Sequence, residues 1–199
     1  MAATHGPTFE PLPDTAAWRH EGVRTGFETT FFRPEPSAYR IEGLATAVEE
    51  GTAWAVHYVL RVDEDWRTRF ATVVSWTAGG SRRIVLESDG DGRWRVDQVA
   101  DPRLDGCLDV DLEASAFTNA LPVRRLGLAI GAHAEAPAAY VRATNVAVER
   151  LEQRYSRVDS RSAALAFEYQ APAFDVACLL RYDRAGLVID YPELATRVR

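Results

Sequence analysis

Trp54-Ala-Val56-His-Tyr58-Val-Leu60-Arg-Val62 is the stretch that decides the fold class. Every even position is large and apolar, while the odd ones include His57 and Arg61, so the segment predicts a strand with one face on a core. The period of two continues: Trp66, Thr68, Phe70, Thr72, Val74 and Trp76 share one face, and Arg67, Arg69, Ala71, Val73 and Ser75 the other. Gly79-Gly80 breaks that run, Ile84-Val-Leu86 follows, and Asp89-Gly-Asp-Gly92 leads into Trp94-Arg-Val96. Asp-Gly between strand-like runs signals a hairpin. Residues 40–99 therefore read as a meander of antiparallel strands.

Residues 138–192 repeat the theme. Leu165, Phe167 and Tyr169 alternate, then Phe174, Val176, Cys178 and Leu180, and Asp183-Arg-Ala-Gly186 turns the chain into Leu187-Val-Ile189-Asp190-Tyr191. This last hairpin echoes Asp89 to Asp97, as an old duplication or a chance likeness between two hairpins would. Helical periodicity is weak, and its best stretches, residues 45–50 and 112–125, are short. An all-β chain of this length must protect its edges, and closing or nearly closing into a barrel does so. Roughly a dozen strands of ordinary length fit. We expect a loose lead-in over residues 1–17 and one barrel-like β domain over 18–199, with an interior wide enough to enclose a cavity.

Composition narrows the function. Of 199 residues, 47% are hydrophobic and 26% charged, and the net charge of -6 argues against a broad nucleic-acid surface, which needs a basic excess. All 23 cationic residues are arginine. They scatter and form no basic patch, and the lack of lysine removes Schiff-base chemistry. The first residues have no basic and apolar leader pattern, and no apolar run approaches the roughly 20 residues that span a bilayer. Cys107 and Cys178 suggest neither a disulfide framework nor a metal pair. The expectation is a cytoplasmic protein without a transmembrane segment.

Between the two meanders lies the densest stretch, residues 104–126. As a strand, residues 107–112 turn Leu108, Val110 and Leu112 one way and Cys107, Asp109 and Asp111 the other. Two carboxylates on one face repel unless cations or donors meet them, and Arg124 and Arg125 are the nearest in sequence. The run Gly106-Cys-Leu-Asp-Val-Asp111, with Phe117-Thr-Asn119 and Leu121-Pro-Val-Arg-Arg-Leu126, resembles the signature of a bacterial family described as "putative glycolipid-binding". Asp65-Trp66-Arg-Thr-Arg69, Gly92-Arg-Trp94, Gln153-Arg-Tyr155 and Gly186-Leu-Val-Ile-Asp-Tyr-Pro192 match it in order. The resemblance covers nearly the whole chain after the lead-in. It implies a barrel-like fold, likened to the half-barrels of bacterial lipoprotein carriers, and a lipid- or glycolipid-binding role.

Two residue sets are candidates for a ligand site. The aromatic set, Trp54, Tyr58, Trp66, Phe70, Trp76, Trp94, Phe167 and Tyr169, takes inward positions in this register. It either lines a cavity for an acyl chain or sugar ring, or is solid core. The polar set, Asp109, Asn119, Arg124, Arg125 and Tyr155, either orients a head group at the cavity mouth or staples the two halves together. Asp109-Val-Asp111 has the form seen in metal-dependent sugar transfer, but no nucleotide-binding pattern accompanies it. Asp89-Gly-Asp-Gly92 lacks the spacing of a Ca²⁺ loop and reads as a turn. His5, His20, His57 and His133 are too dispersed to suggest a metal cluster, Cys107 has no neighbouring His, and no nucleophile elbow is present.

The reading that follows is non-catalytic binding of a small amphipathic ligand, a glycolipid on the family resemblance, with no catalytic residue, metal or cofactor expected and protein partners unknown. The alternatives are a hydrolase or lyase using Asp109 and Asp111, and a packed structural scaffold. A hollow interior counts against the scaffold, and a carboxylate of raised pKa beside open space favours the enzyme.

Overall fold

A computed structural model describes residues 6–160 and 164–198; His5 lies outside them. The period-two pattern becomes strands β1 (Thr15–His20), β2 (Thr25–Glu35), β3 (Ala38–Glu49), β4 (Thr52–Asp63), β5 (Thr68–Thr77), β6 (Gly80–Ser88), β7 (Trp94–Val96) and β8 (Val99–Ala100). These form one antiparallel meander. The centre holds β9 (Asp109–Leu112), helix α1 (Ala120–Leu126), β10 (His133–Glu135), β11 (Ala138–Val141) and β12 (Val148–Leu151). A shorter meander ends the chain: β13 (Arg154–Val158), β14 (Leu165–Ala171), β15 (Val176–Tyr182), β16 (Val188–Tyr191) and β17 (Ala195–Val198).

Because β17 pairs with β1, both meanders join into one 14-stranded sheet, β10-β13-β14-β15-β16-β17-β1-β2-β3-β4-β5-β6-β7-β8. The sheet is antiparallel throughout and barrel-like but does not close. Its interior is plugged by the segment between the meanders. Strands β12, β11 and β9 form a second, three-stranded sheet in which β9 and β11 run parallel. All four residues of β9 and of β11 are buried, as expected of a parallel pair covered on both faces. The plug meets both arms: Phe117 packs edge-on against Phe32 at 5.2 Å, and the Tyr182 hydroxyl donates to the Asn119 carbonyl at 3.3 Å.

Strand β4 turns Trp54, Val56, Tyr58, Leu60 and Val62 inward, as its alternation predicts. Strand β5 does not follow the predicted faces. Arg61 pairs with Phe70 but Val62 pairs with Thr68, so Arg69 is an extra residue. A bulge of one residue exchanges the faces beyond it. Ala71, Val73 and Ser75 point inward, while Phe70 is half-buried on the outer face and Trp76 is 45% exposed. Small residues suit this position, since the Ser75 hydroxyl donates to the Ala143 carbonyl of the plug at 2.5 Å.

The helical expectations also need correction. Residues 45–49 belong to β3, paired along its length with both β2 and β4, so ladder formation overrides the helix propensity of its alanines. Within 112–125 the helix begins only at Ala120, after a 3₁₀ turn at Phe117–Asn119, and it ends at Gly127 in the left-handed region. The sheet starts at Thr15, earlier than Trp18, and Phe9 and Leu12 of the lead-in pack against the core. Among the described residues no helix is long and apolar enough to cross a membrane.

Candidate functional site

The plug fills most of the interior and leaves a cavity of about 260 Å³. The cavity lies between the plug and strands β14–β17, near the connections β1–β2 and β16–β17. Its apolar wall includes Leu112, Leu151, Val176 and Leu194, with the rings of Tyr140 and Phe174. Its polar groups include Arg24, Asp111, Glu113, Asn119, Arg142 and Tyr169.

Asp111 reaches the cavity from the end of β9. One carboxylate oxygen accepts from the Thr118 hydroxyl at 2.8 Å, and the other from the Gln153 amide, which also lies 3.1 Å from the Tyr169 hydroxyl. Burial dominates these bonds and pushes the Asp111 carboxyl up to about 6. Glu113 accepts from the Ala143 N–H at 2.7 Å and from Arg142 at 3.1 Å. Arg142 also pairs with Glu149 at 2.7 Å and stands over the rings of Tyr140 and Phe174. Arg24 differs: it is 6% exposed, and among the described residues it makes no ion pair or hydrogen bond.

The other buried polar groups tie the plug to the sheet. Glu28, fully buried on β2, accepts from Tyr58 at 2.6 Å, Ser115 at 2.5 Å and the Ala116 N–H at 2.7 Å. Tyr58 reaches Glu28 across Gly43, its partner on β3, where a Cβ would collide with the tyrosine ring. Arg125 forks onto Asp109, Nε to Oδ1 at 3.1 Å and Nη2 to Oδ2 at 2.6 Å. Burial still holds the Asp109 carboxyl above its ordinary value. Arg124 donates to the Ala185 carbonyl and lies over Trp66 at 4.0 Å and Phe9 at 5.0 Å; burial lowers its pKa to about 10.

Of the residues singled out from sequence, Asp111, Asn119 and Tyr169 line the cavity. Trp54, Tyr58, Trp94, Tyr155 and Phe167 are buried in the core and do not line it. Trp94 donates its indole N–H to the Cys107 carbonyl at 2.8 Å, and Tyr155 donates to the Asn119 side chain at 3.0 Å. Trp66 stacks on Tyr39 at 5.0 Å, and Phe70 faces outward. The polar set does not converge at one mouth: Asp109 and Arg125 hold each other, and Arg124 packs on Trp66. His57 is an outward strand residue, 2.9 Å from Glu42, and Asp89 accepts from the N–H groups of Asp91 and Arg93 as a turn residue.

Sequence reasoning passed over Arg24, Glu28 and Gln153 as site residues. Glu28 had a signal, since it shares the inward parity of Thr30 and Phe32 and a charge there demands partners. Arg24 had none, because it sits in a turn where no periodicity marks its side chain as buried.

A family profile described as "Putative glycolipid-binding" matches residues 15–197. The chain is similar to a crystal structure of a DUF1089 family protein from Pseudomonas aeruginosa, with 34% identity and a TM-score of 0.73 over 96% of this chain and 98% of that one. It also resembles a β-barrel-like protein of the domain of unknown function DUF1849 from Brucella abortus, at 10% identity and a TM-score of 0.52, over 93% and 95% of the two chains. The second likeness bears on fold alone. No curated protein matches the chain.

Proposed function

Since the chain belongs to the family described as "Putative glycolipid-binding", we propose that it binds a small amphipathic ligand in the cavity beside the plug without transforming it. The observation that carries this reading is the cavity itself: about 260 Å³ with an apolar wall and a few placed polar groups, inside a barrel that is otherwise packed. That is the usual make-up of a ligand site. The volume lies just under the roughly 300–1,000 Å³ of whole-ligand pockets, so it suits one end of a lipid, with the remainder passing out of the opening. The hollow counts against a purely structural scaffold. Two free cysteines, Cys107 and Cys178, suit a reducing compartment such as the cytoplasm.

The test is native mass spectrometry of protein purified from its natural host, followed by lipid extraction. A stoichiometric adduct that extracts as an intact lipid or glycolipid supports binding. A clean mass, with no uptake of extracted host lipids on incubation, refutes it.

One observation favours a second reading, catalysis by acid–base exchange. Asp111 presents to the cavity a carboxyl whose pKa of about 6 suits proton transfer near neutrality. Asp109, the partner expected from sequence, is bound by Arg125 and does not line the cavity. Under this reading Asp111→Asn retains the ligand and abolishes its turnover to a hydrolase or lyase product; under the first, mass spectrometry shows the bound lipid unaltered by either protein.

A further inference from the structure

Among the described residues Arg24 is the most buried arginine, and it lacks what buried charges normally have. A guanidinium removed from water costs several kcal/mol unless an anion or acceptors meet it. Arg125 has Asp109 and Arg142 has two glutamates, whereas the Arg24 Nε is buried without any hydrogen-bond partner and the side chain borders the cavity.

Its surroundings are short of acceptors in the same way. The Arg24 guanidinium lies 5.6 Å from the Trp54 ring, whose indole N–H is also unpartnered, and the His20 ring lies 6.4 Å from Trp54 with both nitrogens unpartnered. His20, Gly26, Ala47 and Trp54 stand opposite one another on β1, β2, β3 and β4. The two residues between the rings thus have almost no side chain. Unpartnered nitrogens collect at this corner, and among the described residues no protein oxygen lies within hydrogen-bond distance of them, Glu28 standing 3.9 Å from His20.

We propose that Arg24 receives the carboxylate of an amphipathic monocarboxylate, whose apolar part lies against Leu112, Leu151, Val176 and Leu194. The inference rests on the binding reading above and names the class of ligand. A carboxylate matches the planar fork of a guanidinium. A doubly charged phosphate suits the cavity less, because Asp111, Glu113 and Glu49 line it and Arg24 alone is an unspent cation. The carboxylate belongs either to a fatty acid or to the sugar of an acidic glycolipid.

The experiment is titration calorimetry of the full chain with probes of equal chain length: decanoate, decyl glucuronide, decyl glucoside, decanol and decyl phosphate. Hydrogen bonds to a charged group sustain a preference of roughly 10- to 100-fold. Decanoate or decyl glucuronide is expected to bind that much more tightly than its neutral counterpart, and which of the two it is identifies the source of the carboxylate. Arg24→Met is expected to abolish the preference; Arg24→Lys, which keeps charge and loses the fork, falls between. The wild-type preference tests the proposal even if Arg24→Met does not fold. Equal affinity for acid and neutral probes, tighter decyl phosphate, or carboxylate binding unchanged in Arg24→Met each overturns it. Neutral probes binding without carboxylates leaves the binding reading standing and removes this one, whereas silence from every probe removes both.

Discussion

Replacing Arg125 with alanine strands the Asp109 carboxylate, whose side chain is 2% exposed and whose fork from Arg125 supplies its only hydrogen bonds among the described residues. The stranded group can remain charged, at about 3–5 kcal/mol for a broken buried pair, or bind a proton. Protonation against an ordinary carboxyl value near 4 costs about 1.4 kcal/mol per pH unit, hence about 4 kcal/mol at pH 7 and about 1.5 kcal/mol at pH 5. Between pH 4 and 7 the unfolded chain has released this proton and the folded variant holds it, so the variant loses stability as pH rises. Urea unfolding followed by tryptophan fluorescence at pH 5, 6 and 7 reads the effect. The expected deficit of Arg125→Ala relative to the wild type grows by up to about 1.4 kcal/mol per unit, and adding Asp109→Asn flattens it. A deficit under about 1 kcal/mol that does not change with pH would refute the assignment of Arg125 as the counter-charge of Asp109.

Glu28→Ala leaves Tyr58, Ser115 and the Ala116 N–H without their acceptor. At about 1–3 kcal/mol for each orphaned group, it should cost more than about 3 kcal/mol in urea unfolding, with Glu28→Gln milder; equal small losses would show that Glu28 is not the anchor. Gly43→Ala pushes against the Tyr58 ring and should cost at least about 1–3 kcal/mol, the range for overpacked cores, seen as a lower Tm. Asp111, with a folded pKa of about 6 against 3.8 ordinarily, is fully compatible with folding only while protonated. Stability should therefore fall by roughly 3 kcal/mol as pH rises from about 3 to about 7 through this group, and Asp111→Asn should remove that part of the slope. Burial pushes both thiols, Cys107 and Cys178, up to about 11. A thiol reagent at pH 7 should react slowly with native protein and rapidly with two cysteines per chain once urea is added; fast native reaction would contradict their raised pKa values.

The β class was legible because alternation survives wherever a strand has one wet and one dry face. The inward rows of β4 and β15, from Trp54 to Val62 and through Cys178 to Tyr182, follow directly from it. The same rule failed on β5, where one bulged residue, Arg69, exchanged the faces and turned Phe70 and Trp76 outward. On β9 it found the strand and set Asp109 and Asp111 on one face, but with all four residues of β9 and of β11 buried there was no wet face for it to mark. The Asp109–Arg125 pair was foreseeable from two close carboxylates that needed a cation, but which of two adjacent arginines would serve was not.

By itself the sequence determined the local periods, the hairpin turns and the charge that must be neutralised in the central segment, because each depends on neighbours a few residues apart. Only the tertiary structure decided that this segment becomes the plug, that β17 pairs with β1, and that Arg24 faces a cavity beside Asp111. Those outcomes depend on groups brought together from distant strands, where the cost of burying each charge is settled by whichever partner the fold places within reach.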